Sequence, residues 1–172
     1  MTDVKLPRST ILKDEVVTDV SQFRSATSGF HSEREFVDFI ETNLEKFMLE
    51  EAGLVYKEHR REWRLAKFSP YGGNRARIDL MVESTSGRRI GIECKFPTIG
   101  TFNDMSRALS QILAYSVIAR ENEAPFDELY LLTTAYDDVV HKVIESFHLP
   151  INVIVFSRNE RAKLVMNGGG DE

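Results

Sequence analysis

Two periodicities divide this chain. Between Glu33 and Glu51 the apolar residues Phe36, Val37, Ile40, Leu44, Phe47 and Met48 recur at helical spacing and form one stripe. Ser32 is a natural N-cap, Glu35 completes a Ser-x-x-Glu capping box, and Gly53 supplies a C-terminal stop. The pattern predicts a helix over 33–51. From Leu54 to Lys67 the residues alternate and carry a basic cluster, which predicts a strand, and Ser69–Asn74 is a loop by composition. Residues 77–97 read as two strands joined by a short polar turn. Pro97, Gly100 and Thr101 then make a break before a second helix over 103–122, with core positions Met105, Ala108, Leu109, Ile112, Ser116 and Ala119.

Beyond Pro125 come an apolar strand (129–134), a helix (137–147) and another apolar strand (151–156). Continuous apolar runs are expected of strands covered on both faces. The order α-β-β-β-α-β-α-β predicts an α/β domain over residues 31–160, a central mixed sheet flanked by helices. Residues 1–30 are polar and weakly periodic, an N-terminal arm with one short element around Ile11–Val20. Residues 161–172, rich in Gly at their end, are expected to be a flexible tail.

Bulk composition narrows the class without naming a function. The chain has 172 residues, enough for one domain with a sizeable core. No apolar run approaches the ~18–20 residues that span a membrane. The N-terminus lacks an apolar signal core. A single cysteine, Cys94, excludes an internal disulfide and a cysteine-based zinc site, and a reducing, cytoplasmic compartment is the default. Net charge is −5, but its distribution is uneven: residues 56–95 carry ten Lys/Arg against five Asp/Glu, a local +5. A basic field around an acidic pocket suits a polyanion held over metal ions. The alternative is a solvated strand face.

That acidic pocket is written into residues 77–97. Side chains alternate along a strand. Ile78, Leu80 and Val82 are expected on one face and Asp79 on the other. In the next strand Ile90, Ile92, Cys94 and Phe96 share a face, leaving Glu93 and Lys95 opposite. Two carboxylates and a lysine would converge on one surface. Mg²⁺ or Mn²⁺ takes oxygen ligands, and Asp79, Glu93 and the backbone carbonyl of Cys94 could supply them. Lys95 could orient or deprotonate a water, or neutralise charge on a phosphate. The alternative is a solvent-exposed ion pair.

The first helix adds a fourth residue. At about 100° per residue Glu33 falls at the centre of the apolar stripe, one turn before it begins, while Glu35 falls on the solvent side. A carboxylate at the end of a buried stripe needs a partner, and a metal or Lys95 would serve; the alternative is that the helix end emerges into solvent there. In the second helix Arg107, Gln111 and Tyr115 follow at i, i+4 and i+8, a ridge that could meet a phosphate backbone or brace Lys95; the alternative, favoured for the ridge taken alone, is an ordinary helix boundary with Tyr115 half-buried and Gln111 solvated.

On these residues the chain resembles the PD-(D/E)XK nuclease superfamily, with its restriction-endonuclease-like fold. Asp79, thirteen intervening residues and Glu93-Cys94-Lys95 match its acidic and Glu-x-Lys elements, with Ile78 standing where proline is usual. Ser32-Glu33-Arg34-Glu35 is similar to the first helix of archaeal Holliday-junction resolvases, whose first Glu is metal-associated. Gln111-Ile-Leu-Ala-Tyr115 is similar to the Gln-x-x-x-Tyr element of RecB-type exonuclease domains.

The resemblance implies a metal-dependent deoxyribonuclease. Glu33, Asp79 and Glu93 would hold Mg²⁺ or Mn²⁺, Lys95 would assist the water, and Gln111 and Tyr115 would support the site. Arg60, Arg61, Arg64, Arg75, Arg77 and Arg107 become the expected DNA contacts. A homodimer is compatible with cutting both strands. The alternative is a catalytically inactive member that binds nucleic acid or protein. His31, His59, His141 and His148 show no metal-ligand spacing. Trp63 and Tyr71 could stack on bases or pack in a core or dimer interface.

Overall fold

In a computed structural model the described residues are 29–65, 76–97, 101–135, 137–156 and 163–167. They form α1 (Glu33–Thr42), α2 (Leu44–Glu51), β1 (Tyr56–Arg64), β2 (Arg77–Ser84), β3 (Arg89–Lys95), α3 (Thr101–Glu121), β4 (Glu128–Thr133), α4 (Asp138–Ser146), β5 (Asn152–Phe156) and β6 (Lys163–Asn167). One six-stranded sheet runs in the order β1-β2-β3-β4-β5-β6. β1, β2 and β3 pair antiparallel, β3, β4 and β5 pair parallel through the α3 and α4 crossovers, and β6 pairs antiparallel with β5. This is the mixed sheet expected, flanked by helices.

Each face of the sheet has its own core. Phe36, Val37, Ile40, Leu44, Phe47 and Met48 of α1 and α2 pack on Leu80, Val82, Ile90, Ile92, Cys94, Tyr130 and Leu132. Met105, Ala108, Leu109 and Ile112 of α3 and Val140 and Ile144 of α4 pack on Leu129, Leu131, Val153 and Val155. Leu131 and Leu132 thus feed opposite cores, as a strand buried on both faces requires. Among the described residues no helix is long and apolar enough to cross a membrane.

The helix expected over 33–51 is two. Asn43 sits between them with φ −108° and ψ 16°, and its side-chain Nδ2 donates to the Phe39 carbonyl at 2.8 Å. A side-chain amide that takes a backbone acceptor ends a helix, and the apolar stripe resumes beyond it. The termini follow the expected chemistry. Ser32 Oγ accepts the Glu35 N–H at 3.1 Å, and Glu35 Oε2 accepts the His31 N–H at 2.9 Å. At the far end Gly53 takes φ 64°, the left-handed turn that glycine allows after a helix, and the Leu54 N–H reaches back to the Met48 carbonyl at 3.0 Å.

Three expectations are corrected. Phe30, assigned to the arm, is 4% exposed and makes edge contacts with the rings of Phe36 and Phe39. Residues 163–167, assigned to a flexible tail, complete the sheet as β6. Ile78 does not share a face with Leu80 and Val82: it packs with Leu65, Met81 and Ala119 on the α3 side. There it overlies Gly91, where an added Cβ would come within 2.9 Å of the Ile78 Cδ1. Strict alternation therefore breaks at Asp79. Residues 1–28 of the expected arm and the Ser69–Asn74 loop lie outside the described residues.

Candidate active site

The broken alternation opens a gap in the sheet. The β2–β3 ladder runs from Glu83–Arg89 to Leu80–Ile92 and ends there. Beyond it the Cys94 N–H donates to the Asp79 carboxylate, Oδ2, at 2.8 Å. A side chain has replaced a backbone acceptor. Within a strand the N–H and C=O of one residue point to the same side, so the Cys94 carbonyl faces the same gap. On the other flank of β2, Arg61 pairs with Leu80 and Trp63 with Ile78, which puts Glu62 across from Asp79. Glu62 adopts φ 47°, a left-handed conformation unusual for a non-glycine residue in a strand.

Glu93 is buried, 7% exposed, on the face opposite the Cys94 side chain. Its Oε2 has no hydrogen-bond partner. Burial raises its pKa, and the charge of Asp79 raises it further, against the Asp79 backbone N–H and the Lys95 charge. Asp79 is likewise pushed up, by burial first and also by Glu33, while the Cys94 N–H pulls it down. Buried Glu93 and half-buried Asp79 thus crowd each other beside one lysine.

Lys95 ends β3, its carbonyl held by the Thr134 N–H at 3.2 Å. Its Nζ lies 3.0 Å from Glu33 Oε2, with side-chain exposures of 24% and 47%. The same oxygen accepts the Phe96 N–H at 3.3 Å. Helical phase and strand phase therefore meet where expected. Among the described residues, however, no three His, Cys, Asp or Glu side chains form a ready metal cage. Asp79 and Glu93 adjoin, and Glu33 is drawn to Lys95.

Two clefts flank that ion pair. One, about 470 Å³, is lined by Glu33, Arg34, Val37, Arg61, Glu62 and Asp79. The other, about 880 Å³, is lined by Lys95 and by polar residues of α3, Gln111 and Arg107 among them. Tyr115, one helical turn from Gln111, packs at the edge of the Ile78–Met81 cluster. Burial raises its phenol pKa, and the charges of Glu93 and Asp79 add to the shift. The α3 ridge thus faces the site.

The basic residues are less uniform than their sequence suggests. Arg61 Nη1 is engaged by Asp38 at 2.6 Å and Glu41 at 2.8 Å, and Arg77 pairs with Glu62 at 3.3 Å. Arg60, Arg64 and Arg107 are exposed, and Arg75 lies outside the described residues. His59 bridges Tyr56 and Glu41 at 2.8 Å each and is no ligand. Trp63 is half-buried and packs edge-on against Phe126 and under Arg89; Tyr71 lies outside the described residues. Glu62 and Arg34, not among the residues expected at the site, line its smaller cleft. Cross-strand register brings Glu62 to the site, and register is not written in one strand's sequence.

No protein-family model matches the chain, and no curated protein matches it. Solved structures similar to it include a repair endonuclease from Pyrococcus abyssi, with TM-score 0.49 and 20% identity over 74% of this chain and 48% of that one. Another is an EndoMS–dsDNA2 complex, with TM-score 0.37 and 15% identity over 67% of this chain and 44% of that one. The chain spans about half the length of each or less.

Proposed function

We propose that this protein is a metal-dependent nuclease of the PD-(D/E)XK type that hydrolyses phosphodiester bonds in DNA. The observation that carries the reading is the pairing of Asp79 with buried Glu93, whose Oε2 has no partner. A buried carboxylate oxygen without a partner is costly, and Glu93 has one with the half-buried Asp79 carboxylate adjoining it. Their oxygens, with the Cys94 carbonyl facing the same gap, suit a hard divalent cation such as Mg²⁺ or Mn²⁺. Bound there, the ion would lower the pKa of a water and offset charge on the phosphate.

The remaining roles belong to the chain itself. Lys95 is held beside the carboxylates by Glu33 and by its place at the end of β3. Its ammonium would orient the attacking water or stabilise the developing charge on the phosphate. Glu33 fixes Lys95 and would complete the ligand set once the ion is bound. Gln111 and Tyr115 brace this group from α3. Arg34 and Arg107, which line the two clefts, are the arginines best placed to receive DNA phosphates.

A titration of Mn²⁺ into wild type and Glu93→Ala by calorimetry tests the metal assignment. Binding by wild type and its loss in the variant support it; equal binding by both overturns it. A second reading, a DNA- or protein-binding module without catalysis, is favoured by one observation, the engagement of Glu33 by Lys95 and Phe96. Metal binding without cleavage of any DNA would select it.

A further inference from the structure

The larger cleft extends past the residues that the nuclease reading uses. Asn103, Asp104, Ser106, Arg107, Ser110 and Gln111 line it with Lys95. On α3, positions 103, 106, 107, 110 and 111 form one continuous stripe, opposite the buried stripe of Met105, Ala108, Leu109 and Ile112. Apart from Asp104 the stripe is cationic or carries neutral hydrogen-bonding groups. Phe102 lies one residue before Asn103 and one turn from Ser106, and it is 49% exposed. An aromatic ring left in solvent beside a polar groove that carries an exposed arginine is a combination that single-stranded nucleic acid uses: phosphates follow the groove and a base stacks on the ring.

We propose that the α3 groove seats an unpaired DNA strand leading away from the reacting phosphate, with Arg107, Asn103 and Ser106 on its backbone and Phe102 under a base. The inference rests on the nuclease reading for its direction, because Lys95 marks the end of the groove nearest the chemistry. It assigns functions to Phe102, Asn103 and Ser106, none of which belongs to the metal-binding group. Uncharged hydroxyls and an amide can hydrogen-bond phosphate oxygens without reading sequence. The track would therefore discriminate strand geometry rather than base identity.

The test is fluorescence anisotropy with a short labelled oligodeoxynucleotide, single-stranded or annealed to its complement, in EDTA so that nothing is cut. Phe102→Ala is expected to weaken single-strand binding by about fivefold or more, the lower end for one lost stack, and to leave duplex binding unchanged. Phe102→Trp is expected to restore it, which a merely structural role for the ring does not predict. Arg107→Ala is expected to lower the dependence of binding on salt by roughly one phosphate contact.

Single-strand affinity unchanged in Phe102→Ala, or no single-strand binding by wild type, overturns the proposal. Cleavage by wild type is measured separately with Mn²⁺. A protein that cleaves but ignores Phe102 loses only the track. One that binds through Phe102 but never cleaves loses only the nuclease reading.

Discussion

Glu33 Oε2 lies 3.0 Å from Lys95 Nζ, joining the first residue of α1 to the last residue of β3. The pair crosses the mouth of the gap where β2 and β3 part, with a cleft on either side. Both side chains keep access to solvent, so the pair is worth little to the fold. Glu33→Gln is expected to cost no more than about 1 kcal/mol in a urea melt. The same variant is expected to reduce Mn²⁺ affinity about tenfold or more, as loss of a ligand or its orienting partner does. A large loss of stability with unchanged metal affinity would make Glu33 structural.

Metal-free stability should fall as pH rises. Burial and the neighbouring Asp79 charge push the Glu93 carboxyl from its ordinary 4.5 up to about 8. Between those values the folded protein holds a proton that the unfolded chain has released. The stability this group contributes is complete below about 4.5 and is lost as pH climbs through about 8. Asp79 moves the same way, to about 6. Thermal melts in EDTA across this range should show the decline, and Glu93→Gln should flatten it. An equal slope in the variant would remove Glu93 as its source.

The left-handed backbone at Glu62 separates conformation from charge. Asn tolerates φ 47° whereas Val does not, and both remove the carboxylate. If the turn of β1 positions Asp79, Glu62→Val should weaken Mn²⁺ binding while Glu62→Asn binds as wild type. Equal loss in both variants would assign the effect to the carboxylate.

Gly91 marks how closely the α3-side core approaches the sheet next to Glu93. A Cβ there meets Ile78 and Leu129 side-chain atoms at 2.9 Å and Phe126 at 3.0 Å. Gly91→Ala should destabilise by about 1–3 kcal/mol, the usual cost of overpacking, readable by chemical denaturation. A neutral substitution would show that this cluster is loosely packed.

Much of this was legible in the sequence because it rests on local period. Helical phase alone sends Glu33 to the end of the α1 stripe, and strand phase sets Glu93 and Lys95 opposite Cys94. Departures from period were not legible. Ile78 crosses to the α3 side because Asp79 leaves the ladder to cap the Cys94 N–H, a long-range contact that no alternation rule contains. Asn43 splits α1 from α2 without disturbing the apolar stripe, so the stripe hid the break. β6 pairs with the edge of β5, and its apolar run Leu164-Val165-Met166 is short and three glycines follow the strand at once, which hid it. The arginines looked alike until Asp38 and Glu41 were found on Arg61.

Cleavage of linear duplex, single-stranded and branched DNA in Mn²⁺ by wild type, Asp79→Ala and Lys95→Ala, each checked for folding by circular dichroism, tests the central claim most directly. Wild type should cut at least one substrate, and both folded variants should be inactive. Undiminished cutting by the two variants, or no cutting by wild type on any substrate, would contradict it.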